Sequence, residues 1–212
     1  QRSDQFIGVA ADLRAVIDAA EQEVILVSPY FIPGREGMDW LRGLRERGVR
    51  VRVLTNSLDA TDVPAVHGAY SNYRHRLLRA GIELHELKPL TQARPHSTFR
   101  GSSRASLHTK AVIIDGRVAF VGSFNLDPRS TWINTEMGAL VDDGRFAEIV
   151  RANIERSLTP EHSFQLSLVD GRLAWTDTKD GQPRQQFHEP SSSWTRRIVA
   201  ALARVLPVEE QL

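Results

Sequence analysis

The chain has 212 residues, 41% hydrophobic and 25% charged, with a net charge of +1. That is an ordinary globular profile, with residues enough for one well-buried core and few for two. The near-zero balance excludes a global field that drives the whole molecule onto nucleic acid or anionic lipid, so any basic patch is local; the absence of cysteine excludes disulfides, thiolate nucleophiles and cysteine zinc sites.

Residues 4 to 20 carry apolar side chains at Phe6, Val9, Ala10, Leu13, Val16 and Ile17, the spacing of a helix. Val24 to Val27 is a short apolar run ended by Ser28-Pro29, a buried strand. A helix over 35–47 stops at Gly48. Val49 to Leu54 reads as a strand, 64 to 80 as a helix closed by Gly81, and Ile82 to Leu87 as a strand. Alternating strands and helices predict an α/β fold with a mixed central sheet and helices on both faces. Residues 88 to 106 are rich in Pro, Ser, Arg and Gly and read as a long loop, free of acids and carrying Lys88, Arg94, Arg100 and Arg104. Such a loop inside a compact domain is often functional.

Two apolar strands follow, Leu107 to Ile114 and Val118 to Val121, joined at Asp115-Gly116, a strong hairpin signal. Glu136 to Val141 reads as a strand and 144 to 157 as a helix. Phe164 to Val169 and Leu173 to Thr176 form a second hairpin around Asp170-Gly171, and 191 to 206 a last helix. In that helix Trp194, Ile198, Leu202 and Val205 share one face, with Arg196, Arg197 and Arg204 elsewhere. The stripe reads first as packing on its own domain and second as a membrane-surface face. No apolar run approaches the roughly 20 residues that span a bilayer. No repeat or linker interrupts the chain, so one domain over 1–212 is expected, with a C-terminal hairpin and helix over 164–206. No signal peptide is apparent. The opening Gln1-Arg2-Ser3 suggests an excised piece of a longer protein.

With Asp115-Gly116 as a two-residue turn, Ile114 faces Arg117 and His108 faces Ser123. His108 and Lys110 then share a face with Ser123, and Asn125 lies just beyond. These groups suit phosphate chemistry. Lys110 is a compact cation for a phosphoryl oxygen, Ser123 and Asn125 donate to other oxygens, and His108 attacks phosphorus or moves a proton. Glu136, a lone acid opening an apolar strand, is the candidate to hold the second ring nitrogen of His108. Asp115 is about 20 Å along the strand from His108, which points to turn and scaffold.

His108-Thr-Lys110, four residues, Asp115, six residues, Gly122-Ser123-Phe124-Asn125 resembles the HKD signature of the phospholipase D superfamily, here within residues 107–130. Six residue types at fixed spacing should recur by chance in about one chain in 10⁵ or fewer. Ser28-Pro-Tyr-Phe-Ile-Pro33, Leu54-Thr-Asn-Ser57, Asp62-Val-Pro-Ala-Val-His67, Leu126-Asp-Pro-Arg-Ser130, Asn134-Thr-Glu-Met137 and Leu206-Pro-Val-Glu are similar to segments of bacterial cardiolipin synthases, nearest the C type. Such synthases carry two HKD halves, and this chain resembles the C-terminal half.

The resemblance implies a phosphatidyltransferase. One histidine forms a phosphohistidine while a second, from the other half or a homodimer mate, protonates the leaving alcohol; no metal or cofactor is needed. Catalytic candidates are His108, Lys110, Ser123, Asn125, Glu136 and, as part of the signature, Asp115. Tyr30, His67 and Arg104 are candidates for substrate binding. The implied partners are phosphatidylglycerol and another phospholipid donor, with peripheral contact on the cytoplasmic side of a bacterial inner membrane. Two rivals stand beside this: a homodimeric HKD phosphodiesterase acting on nucleic acid, and an isolated half that binds phosphate headgroups without turnover.

Overall fold

The structure is a computed structural model that describes residues 9–89, 107–127, 130, 136–190 and 193–205. The first half alternates as expected: α1 (Val9–Asp18), β1 (Glu23–Val27), α2 (Gly34–Glu46), β2 (Arg50–Asn56), α3 (Pro64–Ser71), α4 (Arg74–Arg79) and β3 (Glu83–Leu87). Then come β4 (Lys110–Ile114), β5 (Val118–Gly122), β6 (Gly138–Asp142), α5 (Gly144–Leu158), β7 (Ser163–Val169), β8 (Arg172–Lys179), β9 (Gln182–Gln186) and α6 (Trp194–Val205).

Among the described residues the strands form one mixed sheet in the order β6-β5-β4-β1-β2-β3-β7-β8-β9. The strands β1, β2 and β3 run parallel, and the other neighbours are antiparallel. The continuous apolar run of β1 is explained by burial on both faces. Val24 and Leu26 point into a core with Leu13 and Ile17 of α1, Leu41 and Leu44 of α2, and Leu77 of α4. Ile25 and Val27 point the other way, onto Ala147, Ile154 and Leu158 of α5.

Three local expectations are corrected. The helix expected over 64–80 is two, broken at Asn72-Tyr73, where Arg74 turns into the core at 3% exposure. The strand β9 escapes pattern reading because Gln-Pro-Arg-Gln-Gln has no apolar face; it pairs with β8 across an Asp180-Gly181 turn.

The third correction bears on the site. Arg117 N–H donates to Ile114 O at 3.0 Å, as a two-residue turn requires. The ladder nevertheless pairs Ile114 with Val118 and Lys110 with Gly122. Arg117 is thus an extra residue on one strand, a bulge, and it shifts the register by one. Asp170-Gly171 shows the unbulged case, with Val169 directly opposite Arg172. Both turns hold Asp and Gly at positive φ.

Candidate active site

The carboxyl ends of the parallel strands β1, β2 and β3 lie at one edge of the sheet, where ligands of α/β proteins commonly bind. Because β4 is antiparallel to β1, with Val27 beside Ala111, its first residue Lys110 arrives at that same edge. A cleft of about 700 Å³ opens there, lined by His108, Lys110, Gly122, Ser123 and Asn125, with Val121, Met137, Gly138 and Ala139 at its rim.

The four polar groups meet in one cleft by a different route from the expected register. Extrapolated, the observed ladder sets His108 opposite Phe124 and not Ser123. Ser123 instead leaves the ladder, its N–H donating to Met137 O at 2.8 Å. The glycine of the signature makes this possible. A Cβ on Gly122 would sit 2.5 Å from Met137 O, and one on its partner Gly138 would sit 2.3 Å from the Phe120 ring. Only a glycine pair lets β5 and β6 close over Phe120 beneath the cleft.

Lys110 is 7% exposed. Its Nζ donates to His108 O at 2.8 Å and lies 3.5 Å from both ring nitrogens of His108. Burial lowers the ammonium's pKa, opposed by the nearby carboxylates of Glu136, Asp62 and Asp127. The Ser123 hydroxyl donates to the Glu136 carboxylate and accepts from Met137 N–H at 3.0 Å. Glu136 is thus bonded to Ser123. The buried Asn125 Oδ1 has no hydrogen-bond partner among the described residues. It is the Nδ2 of that amide, a donor beside a lysine and a histidine in the cleft lining, that suits a ligand rich in acceptor oxygens.

Asp115 is outside this group. Its carboxylate accepts the backbone N–H groups of Glu21, Gln22 and Glu23 at 2.8–2.9 Å. Burial works against its charge, but those three donors win and hold the carboxyl below its usual range. The acid of the signature thus ties the hairpin turn to the segment entering β1, and it leaves the candidate catalytic set.

His67 is corrected too. It is 4% exposed and does not line the cleft. Its Nδ1 faces Asn56 O at 3.2 Å, so Nδ1 carries the proton, and its Nε2 lies 3.0 Å from Glu189. The Arg74 guanidinium sits between the acids, 2.7 Å from Glu86 and 2.8 Å from Glu189, and its Nη2 is 2.6 Å from His67 Nε2. His67, Glu86 and Glu189 are close enough together to suggest a metal site, but the guanidinium already supplies the cation. Burial opposes the Glu189 charge, and Arg74 and His67 hold its carboxyl far below the usual range. Tyr30 lies near the cleft without lining it, its hydroxyl donating to Asp62 at 2.9 Å. Arg104 lies outside the described residues.

One residue missed in the sequence is Asn56, the last of β2. Its Oδ1 accepts Leu107 N–H at 3.0 Å and its Nδ2 donates to Leu107 O at 3.3 Å. Both bonds clamp the backbone immediately before His108. The signal was present in the Leu54-Thr-Asn-Ser57 segment, but a clamp across 51 residues leaves no periodic trace.

Residues 13–158 match the family described as cardiolipin synthase, PLD-like domain. Cardiolipin synthase C of Escherichia coli is 38% identical over 198 residues, covering 92% of this chain and 42% of that protein. Cardiolipin synthase A of Yersinia pseudotuberculosis is 30% identical over 162 residues, 76% of this chain and 29% of its own length. Among solved structures, the phospholipase D family member Nuc from Salmonella typhimurium superposes with a TM-score of 0.54 at 19% identity, covering 73% of this chain and 88% of that one. Phosphatidylserine synthase from Haemophilus influenzae gives 0.57 at 18%, covering 74% and 36%. The fold and the matched residues define a phospholipase-D-like domain. The chain belongs to the cardiolipin-synthase PLD-like family, and it spans less than half the length of the curated relatives named here.

Proposed function

We propose that this chain is one catalytic half of a phosphatidyltransferase, moving a phosphatidyl group from a phospholipid donor to the hydroxyl of phosphatidylglycerol. The observation that carries the reading is the convergence of His108, Lys110, Ser123 and Asn125 on one cleft in a chain of this family. One histidine ring nitrogen attacks phosphorus, the phosphorus–oxygen bond to the leaving alcohol breaks, and a second histidine gives that oxygen its proton. The acceptor alcohol then loses its proton to the second histidine and attacks the phosphohistidine, restoring the first. His108 fills one of these two places. Lys110, Ser123 and Asn125 stabilise the phosphoryl oxygens.

A ring that attacks phosphorus cannot also protonate the leaving group in that step, so the second histidine comes from another half or another copy. The cleft's rim supports such a seat: Val121 and Met137 are exposed, Met137 at 79%. In this reading the protein works peripherally, at the cytoplasmic side of a bacterial inner membrane.

The test is a radiolabelled-lipid assay on the full-length parent with His108→Ala. Cardiolipin formation is expected to fall by about 10³-fold or more. Wild-type rates in the variant would refute the assignment. Metal-independent cleavage of DNA by the parent, with no lipid product, would favour the nucleic-acid phosphodiesterase instead.

A further inference from the structure

The helix α6 is packed the opposite way round from most surface helices. Its buried side is made of small residues, Ala200 and Ala203, at 6% and 5% exposure. They lie against α3 so closely that a Cβ on Gly68 would sit 2.3 Å from Ala200 O. On the other side, at four-residue spacing, Trp194, Ile198 and Leu202 face solvent at 72%, 48% and 58% exposure, with Val199 beside them at 44%. The stripe expected to pack on its own domain is therefore the face turned outward. A surface helix normally buries its large apolar side chains and shows water its polar ones, so this face is built for a partner.

We infer that the outer face of α6 docks the protein on an anionic lipid bilayer. Three observations choose the bilayer. Between Trp194 and Val205 the helix has three arginines and no acid. Arg197 and Arg204 are exposed, so the apolar stripe is flanked by cations, as at a charged membrane surface. The helix also begins at the active-site edge. Arg196 donates to Leu58 O, at 3.0 Å, and to Thr61 O, in the loop that follows Asn56 and leads to Asp62, the partner of Tyr30. Trp194, the first residue of the helix, thus lies beside the loop at the end of the sheet where the cleft opens. The inference rests on the proposed lipid substrate only in preferring a bilayer to another apolar partner.

The experiment measures binding of the protein to vesicles of phosphatidylglycerol and phosphatidylcholine, against vesicles of phosphatidylcholine alone. Binding is expected to require the anionic lipid and to weaken as salt rises. Ile198→Ser with Leu202→Ser is expected to weaken it by about tenfold or more, with circular dichroism, melting temperature and sedimentation unchanged. Acyl chains brominated near the headgroup should quench the fluorescence of the otherwise unaltered protein, and Trp194→Phe should remove that quenching; this arm needs no apolar-to-polar change. Equal vesicle binding by the double variant and the parent would overturn the inference, as would a wild-type dimer that the double variant converts to monomer. Intact docking without phosphatidyl transfer in any form would sink the proposed function and leave the docking surface standing.

Discussion

In the proposed mechanism the ring of His108, in whichever of the two places it fills, has to be held to within a fraction of an ångström, and His108 sits just outside the ladder that would hold it. Asn56 compensates by bonding both backbone groups of Leu107. His67 in turn donates to the carbonyl of Asn56 and is itself held by Glu189. These bonds run unbroken from the buried Arg74 ion network to the residue before His108. Asn56→Ala is expected to lower kcat by about a hundredfold, the usual cost of about 1 Å of misplacement, with KM little changed and the melting temperature lowered by the loss of the two bonds. Kinetics on the full-length parent provide the check; an unchanged kcat means that the clamp does not position His108. Lys110, by contrast, needs no such support, since β4 already delivers it to the edge of the sheet.

At the level of elements, two close approaches matter. The bulge at Arg117 moves β5 one residue along β4, and the Gly122–Gly138 pair lets β6 close behind it. The second approach is α3 against α6, which Gly68 permits. Gly68→Ala places a methyl group inside the van der Waals shell of Ala200 O, so α6 must shift. The expected cost is about 1–3 kcal/mol, with faster hydrogen exchange in α6 and unchanged protection in β1, β2 and β3. Unaltered exchange in α6 would show that the helix is not seated through this contact.

For the whole molecule, the pH range of stability is divided between two kinds of group. Asp115, Glu83, Glu155, Asp177 and Glu189 all have carboxyls below their usual range. A depressed carboxyl stabilises the fold above its unfolded pKa, and that contribution disappears only as pH falls through the folded value. His85 acts in a higher window. Burial, opposed by Glu83, lowers its pKa from 6.5 to about 4. The unfolded chain therefore binds the extra proton between about pH 6.5 and 4, and stability falls as pH drops through that range by about 3 kcal/mol. Urea unfolding at pH 7 and pH 4.5 should show His85→Gln losing much less stability than the parent over this interval. Equal losses would mean that His85 is not the group responsible.

Apart from β9 and the break at Asn72-Tyr73, the order of elements was legible in the sequence, and so was the cluster of polar residues. The α/β class follows from strand and helix periods that are local, and the signature around His108 and Lys110 depends on spacing along one hairpin. What the sequence assigned to Asp115, a scaffold at the turn, also follows from distance along a strand. Only the tertiary structure decided the rest. The one-residue bulge is invisible because Asp-Gly turns with and without it read alike, as Asp115-Gly116 and Asp170-Gly171 demonstrate. Asn56 and His67 took their places through bonds between residues distant in the chain. The periodicity of α6 marked its apolar stripe, but which face is buried depended on the glycine of another helix, Gly68, which lets the alanine face approach and leaves Trp194, Ile198 and Leu202 outside.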